Sequence, residues 1–285
     1  MVLGLGNSMV NGATLDSGFL ATKSWDFDGV DDNINVGNSS DIKLTATDTS
    51  EGGGISIAFW ARDDDWNTTS TRAMVSCFQN NGGWYFSLST RLNFGIRSAS
   101  GTRTCTSNYK PFESASDVHY RASGWHHFVG TFDGRYAKLY IDGALSSNTN
   151  TVDIGSDDNV IEYTTSPANR NVDVMFGADP GNLQTSDGGL TYPSGTSLSG
   201  SYFAGRINEV AIYNKALDVD AIEEIFEAVN TGGAVLDLLK DYGNYDYSSS
   251  LVGLWRATPA GAAIDEVGDN EGEGGSTGST SNLPT

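Results

Sequence analysis

The chain is poor in cysteine, histidine and basic residues. Its 285 residues include two cysteines, three histidines and 16 Lys+Arg. Two thiols make no metal box, because a structural zinc site needs more ligands. Cys77 and Cys105 fall in what read as separate strands and could pair only if those strands are neighbours. Free, mostly buried thiols are expected instead of a disulfide. His126 and His127 are adjacent, so in a strand they point to opposite faces and cannot join one site. The third histidine is His119. No nucleophile elbow on a strand-to-helix turn supports a Ser-His-Asp arrangement. No run approaches the ~18 apolar residues of a membrane-spanning helix. The start, Met1-Val-Leu-Gly-Leu-Gly, lacks the basic stretch and apolar core of a secretory signal, so synthesis in the cytoplasm is expected.

The shortage of Lys and Arg leaves a formal net charge of -20. Such a chain is repelled by nucleic acid and by anionic membrane surfaces, so neither is expected as a partner. Acidity suits divalent cations, a basic partner or a saline setting. A solvated acidic surface is the plainest reading.

Hydrophobic residues make up 38% and aromatics 11%, enough for a sizeable core. The 35 glycines, with Asn, Asp, Ser and Thr, crowd the gaps between apolar runs. That is the composition of many short strands joined by turns. The organising stretch is Trp125 to Gly143. Phe128 and Phe132 share one face of its first run, with Gly130 between them. Leu139 and Ile141 share one face of the second. Asp133-Gly134 between the runs suits a tight turn. A hairpin with one apolar face needs a second layer to bury it.

Further strands are expected at 25–37, at 55–61 and across Met74–Phe78, Trp84–Ser89 and Leu92–Arg97. Residues 98–124 read as irregular and polar. Val172–Gly177 and Tyr202–Tyr213 return as strands. One helix is predicted: Ile222, Ile225, Phe226 and Val229 recur at helical spacing, with Asp218 or Asp220 as cap. Leu251 to Trp255 reads as a late strand.

The hairpin pattern W-H-H-x-x-x-T-x-D-G…L-Y-I-D-G resembles the laminin G-like modules of the concanavalin A-like lectin/glucanase superfamily. Phe27 to Asp32, Ile57-Ala58-Phe59-Trp60 and Gly205 to Leu217 resemble other pieces of that family in the same order. The resemblance implies an all-β, two-sheet antiparallel jelly-roll sandwich with one short helix and terminal extensions. The expected organisation is an N-terminal arm at 1–24 and the jelly roll at 25–231. A C-terminal extension with one strand follows at 232–264, then a flexible Gly/Ser/acidic tail at 265–285.

The run Leu251-Val252-Gly253-Leu254-Trp255-Arg256 behind such a module is similar to structural proteins of marine bacteriophages. The expected function is therefore a non-enzymatic virion component, a capsid decoration or fibre-type protein, with other virion proteins as partners and the virion as its location. Assembly as a homo-oligomer fits that reading. The alternatives are a carbohydrate-binding adhesion module that takes cell-surface glycans, and a glycoside hydrolase. Glucanases of this fold carry Glu-x-Asp-x-x-Glu on a strand, and no such stretch occurs here, so catalysis lacks its carboxylate pair.

The resemblance also implies a structural Ca²⁺. Asp28, Asp31 and Asp32 cluster in one turn, and Glu209 is the acidic residue expected to approach it. Asp63 to Asp65 is a second acidic cluster. The competing reading is that turn aspartates serve backbone hydrogen bonds. Trp66 and Tyr120, in loops, are the candidates for stacking on sugar. Leu251, Leu254 and Trp255 are the assembly candidates, because an uncovered apolar strand would be a sticky edge. They would either close the chain's own sheet or dock on a neighbouring subunit.

Overall fold

The computed structural model describes residues 18–19, 23–44, 54–64, 71–79, 82–89, 91–98, 101–107, 124–146, 151–154, 160–163, 173–179, 201–232, 235–258, 261–274 and 278–280. The strands of the first half are β1 (Gly18–Phe19), β2 (Ser24–Asp28), β3 (Ile34–Asn35), β4 (Ile55–Asp63), β5 (Arg72–Gln79), β6 (Gly82–Leu88), β7 (Leu92–Ser98) and β8 (Gly101–Thr106). The central hairpin is β9 (His126–Phe132) and β10 (Tyr136–Ile141), followed by β11 (Ala144–Leu145), β12 (Thr151–Asp153) and β13 (Met175–Phe176). Then come β14 (Ser201–Tyr202), β15 (Ala204–Tyr213), helix α1 (Val219–Gly232) and β16 (Val235–Leu236). The chain closes with β17 (Leu251–Ala257), β18 (Ala263–Asp265), β19 (Glu273–Gly274) and β20 (Gly278–Thr280).

Two sheets face each other. The larger runs β11-β10-β9-β4-β15-β17-β18, with β12 on β10 and β2 between β15 and β20. The smaller runs β19-β3-β13-β5-β6-β7-β8, with β14 on β5. Apart from β14 on β5, the pairings are antiparallel. The jelly-roll sandwich expected from the sequence is the fold observed.

The core lies between the sheets because strand residues alternate faces. Ile55, Ile57, Phe59 and Ala61 of β4 point inward, and Phe128 and Phe132 of β9 join them. Phe59 meets Phe86 of the opposite sheet edge-on, with ring centroids 4.9 Å apart. Gly130 has a steric role here. A Cβ on it would stand 2.6 Å from a Phe94 ring carbon and 2.7 Å from one of Phe86. The missing side chain is what lets two rings of the opposite sheet settle over the hairpin. The hairpin turn is set by Asp133, whose Oδ1 accepts the N–H groups of Arg135 and Tyr136 at 2.9 and 2.6 Å.

The outer face of the larger sheet is covered by α1 and the segment behind it. Ala58, Val129, Tyr140, Ala211 and Tyr213 of the sheet pack with Ala221, Ile222 and Ile225 of the helix. The cap is Asp218, whose Oδ1 accepts the Ala221 N–H at 2.8 Å. Phe226 stacks on Trp60, which in turn stacks on His127.

The C-terminal segment departs from the expected organisation. β17 lies inside the larger sheet, between β15 and β18. β17 and β18 are thus part of the sandwich rather than an appendage. The stretch expected as a flexible tail also contributes pairing: β19 adds to β3 of the smaller sheet and β20 to β2 of the larger. The polar composition of 265–285 hid this, because two- and three-residue strands at sheet edges need no apolar run. β8 was hidden for the same reason. It pairs along β7 inside the region read as irregular, and Cys105 is its one buried side chain.

Candidate functional site

At the Asp28–Asp32 turn the structure does bring three carboxylates together, with ligand-type oxygens within 4.8 Å of one another. Two of these carboxylates, of Asp28 and Asp32, already have duties. Asp28 Oδ1 accepts the Val30 and Asp31 N–H groups at 2.8 and 3.4 Å. Asp32 Oδ2 accepts the Asp28 N–H at 2.9 Å. The Val30 N–H is the main reason the Asp28 carboxyl lies below the usual carboxylate range. The turn thus holds itself by side-chain-to-backbone bonds, and it could offer three of the ~6–8 oxygens a Ca²⁺ takes.

Glu209 does not join this turn. It sits at a bulge in the pairing of β15 with β4, with φ 51°, and its carboxylate meets Arg256 on β17. Asp237 and Glu266 stand beside the same guanidinium. Burial pushes the Glu209 carboxyl up to about 7 despite the opposing pull of Arg256. Both side chains are buried, so the group works as an internal fastener between β15, β17 and the segments on either side of β17. Of the second acidic cluster, Asp63 forms a buried ion pair with Arg72 at 2.9 Å. Asp64 pairs with Arg62 at the surface.

His126 and His127 are structural too. His126 Nδ1 lies 2.7 Å from Asp142 Oδ2, and Asp142 Oδ1 accepts the His127 N–H at 2.9 Å. Asp142 thereby locks the end of the central hairpin, with its own backbone at φ 52°. Cys77 and Cys105 are buried thiols, not joined to each other as a disulfide. The Cys105 thiol donates to the Ala137 carbonyl, and burial pushes its pKa up to about 12.

The three assembly candidates are covered by their own chain. Leu251 and Leu254 belong to the cluster beneath α1. Trp255 lies in the main core against Phe176 and donates its indole N–H to the Asn270 carbonyl at 2.7 Å. All three side chains are buried within the chain's own fold, as the high effective concentration of an intramolecular partner favours. Trp66, Tyr120 and His119 lie outside the described residues.

A different place is concave and polar. A cavity of about 370 Å³ is lined by Asn35, Gly37, Asn38, Asp173, Asp269, Asn270 and Glu271, with Val36. One wall is β3 and the turn after it. Val36 N–H bonds to the Val174 carbonyl and Val174 N–H to the Gly37 carbonyl. That pairing places Asp173 opposite the turn. Gly37 adopts φ +83°, which only glycine takes readily, and its N–H bonds to Asn35 Oδ1 at 2.7 Å. The chain therefore doubles back, and Asn35 and Asn38 both donate to Asp173, at 2.8 and 2.6 Å.

The other wall is the loop after β18. Asp265 anchors it by accepting the N–H groups of Leu254, Val267 and Asn270 and the Asn270 side-chain amide. Sequence reading missed this site. Asn35 and Asp173 are 138 positions apart. The only signal was the general crowding of Asn and Asp between strands.

The comparisons with known proteins agree with this fold. A family model for laminin G-like members of the concanavalin A-like lectin/glucanases superfamily matches residues 36–191. The chain belongs to that superfamily. No curated protein matches it by sequence. Among solved structures, this superfamily member is similar to a candidate carbohydrate binding protein from Bacteroides ovatus. The identity is 11% and the TM-score 0.57, over 92% of this chain and 60% of that one. It is also similar to the receptor binding domain of botulinum neurotoxin D, at 17% identity and TM-score 0.49, over 75% of this chain and 46% of that one. A heptameric SAP-like pentraxin from Limulus polyphemus matches at 12% identity and TM-score 0.44, over 72% and 82%. The chain thus spans less than two thirds of the first of these structures. Among the described residues, no helix is long and apolar enough to cross a membrane.

Proposed function

We propose that the chain is a non-enzymatic component of a bacteriophage particle that displays a sugar-binding sandwich domain. The observation that carries the binding role is the amide- and carboxylate-lined cavity, whose two walls are fixed in advance by internal hydrogen bonds. Preorganisation of that kind lowers the entropic cost of taking a ligand. The description of the Bacteroides ovatus relative as a candidate carbohydrate binder supports the same reading. A glycosidase needs an accessible carboxylic acid of raised pKa. Among the described residues, Glu209, raised to about 7, is shut in against Arg256, and Asp26, also raised by burial, faces Arg206.

The setting in a particle rests on the likeness of the Leu251–Arg256 run to phage structural proteins. A structural Ca²⁺ at the Asp28–Asp32 turn is part of the same proposal. Two experiments test the whole. Glycan-array binding without sugar release is expected of the purified chain, and release of sugar would replace the binding role with catalysis. Mass spectrometry of purified particles is expected to find the chain as a stoichiometric component. Its absence from particles would end the virion assignment while leaving the binding role open.

A further inference from the structure

We infer that the cavity between the β3 turn and the loop after β18 takes an uncharged sugar and turns away sialylated or sulfated ones. The inference rests on the sugar-binding reading above and gives it a site and a ligand class.

The lining chemistry is one-sided. Three carboxylates, of Asp173, Asp269 and Glu271, stand with three side-chain amides, of Asn35, Asn38 and Asn270. No lysine or arginine is among the lining residues. Among the described lining residues an anionic ligand would meet like charges and no cation, in a chain already at -20. A neutral polyol meets the reverse. Carboxylates accept from hydroxyls, and amides both donate and accept.

The donors are oriented as well. Asn35 and Asn38 each commit one N–H to Asp173, which is 5% exposed. Each amide keeps a second N–H, since a carboxamide carries two. Asn38 also keeps its carbonyl oxygen. On the opposite wall Asn270 is pinned through Asp265, while Asp269 and Glu271 are exposed at the rim. The volume of about 370 Å³ admits a sugar unit of a glycan chain.

Among the described residues the lining holds no aromatic ring, so recognition rests on hydrogen bonds to hydroxyls. Affinity per site is therefore expected to be weak, about millimolar. Display in many copies on one particle raises the effective affinity by about 10²–10⁴-fold.

The test uses the full chain against matched oligosaccharides, hexose-terminated in neutral and sialylated forms, followed by ligand-observed NMR in the presence of Ca²⁺ and of EDTA. The neutral form is expected to bind at least ~10-fold more tightly than the sialylated one. Asn38→Ala is expected to lower neutral binding at least ~5-fold, and binding is measured well below the variant's own melting temperature because the change also removes a bond to buried Asp173. Asp173 is buried, so its variants risk the fold. The exposed pair Asp269→Lys with Glu271→Lys is used instead and is expected to shrink the preference for the neutral form.

Equal or tighter binding of the sialylated form overturns the inference and leaves the sugar-binding role intact. So does neutral binding that neither variant changes. A site that takes Ca²⁺ alone overturns it as well. Binding of no oligosaccharide at all overturns the sugar-binding reading itself.

Discussion

Arg256 Nε lies 3.0 and 2.9 Å from the two carboxylate oxygens of Glu209, with both residues buried between neighbouring strands. The pair ties the late strand β17 to the central strand β15. Removing one partner leaves a buried charge behind. Arg256→Ala is expected to cost about 3–5 kcal/mol in urea unfolding. A loss under about 1 kcal/mol would show that the pair is only an ornament of the sheet.

The same pair sets a pH dependence. Burial raises the Glu209 carboxyl to about 7, above its ordinary value of 4.5. Between those values the folded chain holds a proton that the unfolded chain releases. The group's contribution to stability is therefore fully present below pH 4.5 and is lost as pH rises through about 7. Glu209→Gln stays neutral throughout. The stability gap between wild type and this variant should shift against wild type from pH 5 to pH 8. A gap constant over that range would contradict the raised carboxyl.

The hairpin core offers two substitutions of opposite kind. Ile141 is fully buried, and Ile141→Ala is expected to cost roughly 2–5 kcal/mol through its cavity. Gly130→Ala adds a methyl where Phe86 and Phe94 already stand, and overpacking of this kind costs about 1–3 kcal/mol. Melting temperatures near wild type for both would mean that the inner face of the hairpin is not where these residues lie.

If Ca²⁺ sits at the Asp28–Asp32 turn, chelator lowers the melting temperature and added Ca²⁺ restores it, through linkage. Asp28→Ala is expected to abolish that response. A chain indifferent to chelator, with no metal by elemental analysis, would retire the ion and leave the turn to its backbone hydrogen bonds.

Truncation after Thr231 removes β17, leaves the edge of β15 from Val210 to Tyr213 unpaired and takes Trp255 out of the core. The truncated chain is expected to aggregate or to lose its cooperative transition. A stable, monomeric truncated domain would contradict the integral role of Leu254 and Trp255.

Much of the fold could be read from the sequence because apolar parity is a local property. Phe128, Phe132, Leu139 and Ile141 announce their face within a dozen residues, and α1 announces its stripe at Ile222 and Ile225. What was illegible depends on distance or on polar pairing. Glu209 was expected at the Asp28 turn, but a bulge and a partner 47 positions away sent it to Arg256. Leu251, Leu254 and Trp255 had two possible covers; the high effective concentration of an intramolecular partner favoured the chain's own sheet, and that is where they lie. The cavity is assembled from positions near 35, 173 and 270, and no local motif spans such a set.

The central claim is that this sandwich binds sugar without cleaving it. One NMR time course of the purified chain with a panel of neutral oligosaccharides addresses both halves. The account predicts saturation transfer to particular sugar protons, with the oligosaccharide spectrum unchanged over days. New reducing-end signals, or no transfer to any sugar in the panel, would contradict it.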